Sequence, residues 1–401
     1  MSCNDTIMRL IETRQRLVDG RRNREAQALF VKRKPGIVKD KFREVPLPLD
    51  KTGGKISVVM CLDRTLYAKL LDFPLDRYYQ EPEAFLENQL RMDIFHLENV
   101  GDNQFFDEFI QVWGGAGFEA SLFGMQQGYS ADSEPWLHHV PIIDTPESLN
   151  QMPEADFKTS GPMPTVLKFH ERLLELLDGT GLNPIPPGWI RGPLGVAEEL
   201  RGIGDLIADS LVNPEFVQDI LRYAVEFRKR WCSERSAYLG CKQPDRGLMY
   251  NDEVQVPMIS PLIYRDVVLP YEKELHDYYG GLHYWHSCGD ATPFIPLVDE
   301  LPHIDMIHSG AFSDPEKVVS TFSQRSALEI AVRSIEDFAE ATDEVMKSRI
   351  EYLVGLCMEH NAKAALIRLT AYETENLNAR ETLDKALRWV DIAQQVTHSA
   401  A

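Results

Sequence analysis

Long apolar runs and cysteines are both scarce in this sequence of 401 residues. No stretch reaches the roughly 18 consecutive apolar residues of a membrane-spanning helix, so a membrane protein is not expected. The six cysteines are irregularly spaced and form no Cys-x-x-Cys pair. Such spacing does not suit a disulfide framework and favours the reducing cytoplasm. Residues 1–34 are charged and lack the apolar core of a secretory signal, which favours the same location.

Positively charged residues are fewer than negatively charged ones. Lys and Arg total 42 against 62 Asp and Glu, which gives a formal net charge of −20. Because nucleic acids and anionic membranes bind basic surfaces, neither is an expected partner. We interpret the basic run from Arg21 to Arg24 as the solvated face of a helix.

Buried strands and helices alternate along most of the chain. Helix starts carry N-cap and first-turn signals at Asn213-Pro214, Asp314-Pro315 and Thr342-Asp343. About seven strand-helix units result, close to the eight of a TIM barrel, so we predict an α/β fold of the (β/α)8 type. The predicted strands cover residues 55–62, 183–190, 246–252, 281–286, 303–308, 327–333 and 363–369.

Two further segments are expected around this barrel. Residues 1–50 contain a predicted helix from Thr6 to Phe30 and a Pro-containing connector, and form a helical extension that caps the barrel of residues 51–401. Residues 103–165 are rich in Gly, Ser and aromatic residues, which predicts short strands and loops. Such a segment suits an insertion that covers the substrate.

Polar residues gather where the predicted strands end. Active sites of TIM barrels lie at this edge, so the clustering predicts a functional site there. The residues are Asp63, Arg64, Arg191, Asp252, Glu253, His286, Cys288, His308, Arg333 and Arg368.

The pair His286 and Cys288 is the most specific feature of this set. In an extended segment, residues two apart point to the same side, so both side chains are expected to face one metal ion or substrate. A purely structural interpretation stays open, in which His286 is a hydrogen-bonded core residue and Cys288 is a thiol that packs in the core. Asp252 and Glu253 are likewise open to a role as strand-end caps or as ion-pair partners of a nearby arginine.

Residues 60–390 resemble the uroporphyrinogen decarboxylase superfamily through a set of motifs that are weakly specific one by one but occur in the order found in that superfamily. True decarboxylases of that superfamily hold a porphyrinogen with an arginine-rich signature, Met-Arg-Gln-Ala-Gly-Arg, and the matching region from Val58 to Arg64 lacks it. A decarboxylase is therefore disfavoured. The motifs are Trp189 to Gly202, Leu211 to Val217, Tyr250 to Glu253, Ile259 to Arg265 with Pro270 and Tyr271, His286 to Gly289, and Glu375 to Leu377.

The resemblance also covers corrinoid-dependent methyltransferases, in which a His-x-Cys pair and a later Cys hold Zn²⁺. The position of that later Cys falls at Leu366 to Arg368, where this chain has none. The resemblance therefore implies zinc on His286 and Cys288, with a substitute for the missing ligand. The candidates are Asp252, Glu253, His308 and Cys357, although Cys357 has the helical spacing of a core residue.

The implied function is methyl transfer between a small methylated substrate or acceptor (O-methyl, N-methyl or thiol) and cobalt. The corrinoid is expected on a separate protein as methylcobalamin, because this chain lacks the cobalamin motif Asp-x-His-x-x-Gly. Asp252 and Glu253 are the expected catalytic acids. The expected substrate-binding residues are Trp189, Arg191, Tyr250, His308 and Arg333.

Two functions of other classes stay open. A metal-free decarboxylase or lyase on the same barrel would act on a carboxylated substrate and keep its activity after chelation. A non-catalytic binding protein would bind a ligand without turnover. The sequence leaves the methyl substrate, the direction of transfer and the oligomeric state undetermined, with a homodimer as one option.

Overall fold

The computed structural model describes residues 3–32, 44–241 and 247–399. Its strands are β1 (Ser57–Leu62), β2 (Phe109–Gln111), β3 (Gln127–Gly128), β4 (Trp136–Leu137), β5 (Asn183–Ile185), β6 (Gly247–Tyr250), β7 (Leu282–His286), β8 (Ile304–His308), β9 (Ala327–Ala331) and β10 (Ala365–Ala371). Six of them form one parallel sheet in the order β1-β10-β9-β8-β7-β6.

Strands β2 and β5 close this sheet into a barrel. They pair with each other in parallel, and the chain after β5 reaches β6 through a hydrogen bond from the Tyr250 amide to the Ile190 carbonyl at 2.8 Å. On the other side, the Asn103 amide donates to the Val58 carbonyl of β1 at 2.8 Å. The predicted (β/α)8 barrel is thus confirmed, and β2, which the sequence assigned to an insertion, is its missing strand.

The barrel interior is built by alternate residues of its strands. Val59, Leu248, Tyr284, Met306 and Leu366 form one buried inner cluster. Their neighbours in sequence point outward and join the larger cluster beneath the surrounding helices. The strands are therefore buried on both faces, which is why they read as apolar runs.

Helices surround the barrel, and none in the described ranges is both long and apolar enough to span a membrane. The predicted starts at Pro214, Pro315 and Asp343 are confirmed. The Asp314 and Thr342 side chains accept hydrogen bonds from first-turn amides. The helices of eight or more residues are Cys3–Val18, Arg64–Leu71, Pro82–Asn99, Met163–Leu176, Pro193–Arg201, Ile203–Val212, Pro214–Tyr238, Leu269–Tyr279, Pro315–Phe322, Asp343–Glu359 and Ala379–Ser399.

The N-terminal segment is anchored to the barrel by a buried charge pair. The predicted single helix from Thr6 to Phe30 is wrong, because the chain turns at Gly20 between helices Cys3–Val18 and Arg21–Gln27. Arg14 donates to Asp93 at 2.6 Å, with both side chains buried. Phe30 joins the inner cluster of the barrel. The remainder of the predicted connector (33–43) and the first residue of the predicted strand 246–252 lie outside the described residues.

Candidate metal centre

Three potential metal ligands converge where β6 and β7 end. His286 is the last residue of β7, and its Nε2 atom lies 3.0 Å from Cys288 Sγ and 3.1 Å from Asp252 Oδ1. The donor atoms of the three residues all lie within 4.8 Å of one another, and no other such group occurs in the described ranges. We call these three residues the metal centre.

The local backbone explains this convergence. His286 and Cys288 share a side, as the two-residue spacing predicts, while the Asn251 amide donates to the His286 carbonyl at 2.7 Å and brings Asp252 alongside. Gly310 supports the loop from behind with a φ of +73°, and a methyl group there would lie 2.5 Å from the Cys288 carbonyl oxygen. Only glycine accepts both the conformation and the close approach.

The neighbours of Asp252 favour the ionised form of its carboxyl group. Burial opposes its ionisation, but the hydrogen bond and charge of His286 and the nearby Arg191 hold the pKa of Asp252 well below its usual range. Its side chain is 38% exposed, so one edge of the carboxylate faces the mouth of the barrel.

The second nitrogen of His286 is held from inside the barrel. His286 Nδ1 lies 3.3 Å from the Tyr284 hydroxyl oxygen, and that hydroxyl donates its hydrogen to Glu329 Oε1 at 3.2 Å. Arg368 Nε donates to the same Glu329 oxygen at 2.7 Å. We call Tyr284, Glu329 and Arg368 the orienting chain, because it fixes the imidazole plane and directs Nε2 toward Asp252 and Cys288.

Aromatic rings hold the imidazole on both sides. His308, in register with His286 on β8, stacks on it with centroids 4.3 Å apart and planes 7° apart. The Tyr250 ring lies 4.5 Å away at 33°. His308 and Tyr250, both predicted as substrate-binding residues, therefore lie against the metal centre itself.

A second charged cluster lies next to the metal centre. Arg191 donates to Glu253 Oε1 at 2.6 Å and pairs with Glu199 Oε1 at 3.1 Å. Glu119 accepts the Ile190 and Arg191 amides at 2.7 and 3.0 Å. We call Arg191, Glu199, Glu253 and Glu119 the arginine cluster.

Burial dominates the chemistry of the arginine cluster. It raises the pKa of Glu199 to about 8 and raises the pKa of Glu253, in each case against the opposing effect of Arg191. Gly195 admits this packing, because a methyl group there would lie 2.6 Å from Glu253 Oε2. Glu253, predicted as a catalytic acid and a metal ligand, is therefore turned toward Arg191 instead of the metal centre.

Three other predicted site residues lie elsewhere. Trp189 is buried between Phe123, Phe227 and Trp231 and does not form a substrate wall. Arg333 donates to both oxygens of Asp337 at 3.0 Å. Cys357 is fully buried on helix Asp343–Glu359, outside the metal centre, and burial raises the pKa of its thiol to about 12. Cys357 is the core residue that its helical spacing indicated.

Tyr284 and Glu329 are not among the residues predicted from the sequence. Trp285, the next residue on β7, points to the outer face, where its indole donates to Glu272 at 3.2 Å. The alternation that aligns His286 with Cys288 also aligns Tyr284 with His286. Glu329 is the one acid in the apolar strand Ala327–Ala331, which was the available signal.

The donor set fits a zinc ion. Imidazole, thiolate and carboxylate are the ligand types that Zn²⁺ takes, whereas Mg²⁺ and Ca²⁺ prefer oxygen alone. Three protein ligands also match the catalytic kind of zinc site, which keeps a position for substrate or water. The structure supplies the third donor from Asp252, after β6, and not from the last barrel strand, where the resemblance implies a cysteine.

Comparisons with known proteins agree with this architecture. The family model of uroporphyrinogen decarboxylase (URO-D) matches residues 112–332, more than half of the chain. The fold is similar to that of a methyltransferase from Methanosarcina mazei, with a TM-score of 0.57 and 13% identity over 94% of this chain and 98% of the other. No curated protein matches significantly. On the family match, this chain is a member of the uroporphyrinogen decarboxylase family.

Proposed function

We propose that this protein is a methyltransferase that moves a methyl group between a small methylated substrate and the cobalt of a separate corrinoid protein, with zinc at Asp252, His286 and Cys288. The single observation that carries the proposal is the convergence of these three donor atoms within 4.8 Å at the carboxyl-terminal edge of the barrel. Strand ends are where barrels of this type place their reacting groups.

The proposed chemistry needs an electrophile at the heteroatom that carries the methyl group. Zinc would supply Lewis acidity there, or lower the pKa of a thiol acceptor. In demethylation, the heteroatom would keep the electron pair of the bond that breaks, and Co(I) on the partner would supply the pair of the new bond and become Co(III). Transfer to a thiolate acceptor would run in reverse, with the thiolate supplying the pair and Co(I) released. Asp252, His286 and Cys288 would bind the ion, and the orienting chain fixes the angle of the imidazole.

The protein's own residues prepare the centre for this role. Tyr284, beside His286 Nδ1, sets the orientation of the ring that presents Nε2 as a ligand. The stacked ring of His308 restricts rotation of that imidazole and excludes water from its face. Cys288 is exposed and Asp252 partly so, which leaves one side of the centre accessible from the barrel mouth.

The corrinoid is proposed on a partner, since the sequence has no motif to carry it. The near match from Asp305 to Gly310 begins within β8, and His308 is stacked on His286. A ring packed in that contact would not be accessible to a corrinoid. The partner would have to approach the carboxyl-terminal edge, where Cys288 is exposed.

The test begins with metal content, measured by elemental mass spectrometry on untagged protein. We expect about one zinc per chain, lost in His286→Ala and Cys288→Ala and retained in Cys241→Ser, a partly exposed thiol on another part of the surface. Wild-type protein that stays metal-free after zinc supplementation would refute the zinc mechanism and favour the metal-free lyase.

A second measurement tests methyl transfer itself. Zinc-loaded protein mixed with Co(I) corrinoid and methylated ethers, amines or thiols should yield methylcobalamin, seen in the absorption spectrum. Chelation should abolish this reaction. A carboxylated substrate that loses CO2 at an unchanged rate after chelation would contradict the proposal.

A further inference from the structure

A cavity of about 340 Å³ lies beside β1 and β10, and Arg368, the member of the orienting chain most distant from His286 along the hydrogen bonds, lines it. Its size falls at the lower end of the roughly 300–1,000 Å³ typical of small-molecule sites. Much of its wall is aromatic and apolar, with Phe30, Phe105, Trp113 and Val59 among the lining residues. A flat or apolar molecule suits such a wall.

Arg368 provides the charge that faces this cavity. Its Nε donates to Glu329, but neither terminal nitrogen forms a hydrogen bond with any residue of the described ranges. The side chain is only 12% exposed. A partly buried guanidinium with free terminal donors has the geometry that binds a carboxylate through two parallel hydrogen bonds.

The other charged groups on the wall are Glu44, Asp63, Arg64 and Asp93, and each already has an interaction of its own. Arg64 pairs with Glu134 at 3.5 Å and lies over the Trp113 ring at 5.7 Å. Asp63 accepts the Thr65 amide at 2.9 Å as a helix cap, and Asp93 is bound by Arg14. Arg368 is thus the cationic side chain of the wall that keeps both terminal nitrogens without a hydrogen bond in the described ranges, whereas Arg64 uses one of its own on Glu134.

Arg368 also connects the cavity to the metal centre. Three hydrogen-bond contacts lead from it through Glu329 and the Tyr284 hydroxyl to His286 Nδ1. These hydrogen bonds cross the barrel interior, because Arg368 is on β10 and His286 is on β7, and β9 and β8 lie between those strands in the sheet. A ligand held by Arg368 would therefore lie in the same barrel mouth as the metal centre.

We infer that this cavity binds the carboxylate end of the substrate, a small monocarboxylate with an aromatic or apolar body, through the terminal nitrogens of Arg368. The inference rests on the proposed function, because it names the class of methyl donor or acceptor. Glu329 already offsets part of the arginine charge, so a monoanion suits the site better than a phosphate dianion.

The test is binding, measured by calorimetry on the full chain with 4-methoxybenzoate and its neutral analogue 4-methoxybenzamide. Wild type should prefer the acid, and Arg368→Gln should weaken acid binding by about 10- to 100-fold without changing amide binding. Arg368→Lys, which keeps the charge but loses the paired donors, should fall between them. Arg380→Gln, in an exposed helix pair with Asp384, is the matched control.

Alkylation of Cys61 reports where the ligand binds. Cys61 lines the cavity and Cys241 does not, so 4-methoxybenzoate should slow the reaction of Cys61 with N-ethylmaleimide and leave Cys241 unaffected. Peptide mass spectrometry measures both thiols in one sample. Equal rates at Cys61 with and without ligand would overturn the location.

A metal-free variant separates this inference from the proposed function. Acid binding that persists in Cys288→Ser but is lost in Arg368→Gln supports the Arg368 site even if methyl transfer fails. Acid binding that is lost in Cys288→Ser and kept in Arg368→Gln would place the carboxylate on the metal and overturn the inference. No preference for the acid in wild type would overturn it as well.

Discussion

Asp252 and Glu253 are neighbours in sequence with opposite environments. Asp252 turns to the metal centre, is 38% exposed and has a lowered pKa, whereas the Glu253 side chain is 8% exposed, turns to Arg191 and has a raised pKa. The difference teaches that two adjacent acids in the turn after a strand can be directed to different clusters. One acid serves the site, and the other belongs to a buried charge cluster.

The largest expected effect is on metal binding by these two acids. Asp252→Asn should lower zinc affinity by more than the roughly 10–100-fold that loss of an outer-shell partner costs, because it removes an anionic ligand. Glu253→Gln should retain zinc. The measurement is a competition titration with a chromophoric chelator. Equal affinities in the two variants would show that the acids are not divided as described.

Arg191→Met should affect stability instead of metal binding. It would leave Glu199 and Glu253 buried without their cation, and breaking a buried pair costs about 3–5 kcal/mol. Urea unfolding of the metal-free protein measures this loss, with Arg380→Gln as an exposed control expected to change stability by less than about 1 kcal/mol. A loss of zinc without a loss of stability would reverse the assignment of the two clusters.

Glu272 has a third kind of environment. Its carboxylate is fully buried and forms no ion pair with an arginine within the described ranges. Burial raises its pKa to about 7 although Tyr264 and Trp285 donate to it. The native state therefore keeps a proton on Glu272 that the unfolded chain releases near pH 4.5. The stabilisation that comes from this proton is complete below about pH 4.5 and is lost as the pH rises to about 7.

Glu272→Gln should remove that pH dependence. Relative to wild type, the free energy of unfolding of the variant should rise by roughly 2–3 kcal/mol between pH 5 and pH 8. Denaturant unfolding at both pH values measures it. A constant difference between the two proteins would mean that Glu272 is ionised throughout this range.

The smallest effect is expected for the orienting chain. Tyr284→Phe keeps the ring but removes the hydroxyl beside His286 Nδ1, and should weaken zinc binding by about 10- to 100-fold. Tyr279→Phe is a buried tyrosine control on the outer face, where its hydroxyl accepts from Arg228. Equal zinc affinity in wild type and Tyr284→Phe would show that stacking alone orients the imidazole.

Local signals predicted much of the fold. Asn213, Asp314 and Thr342 were identified because helix starts depend on the first turn alone. Strand β2 was missed since it has three residues and pairs with β5, far away in sequence. The break at Gly20 was missed as well, because the helical pattern continues on both sides of it.

The sequence by itself determined that His286 and Cys288 face the same side and that the strands end in polar residues, since backbone alternation and strand propensity are local properties. Only the tertiary structure decided that Asp252 joins His286 and Cys288, that Glu253 turns to Arg191 and that Arg368 faces a cavity. These outcomes depend on how strands distant in sequence are brought into register around one barrel, and no short segment contains that information.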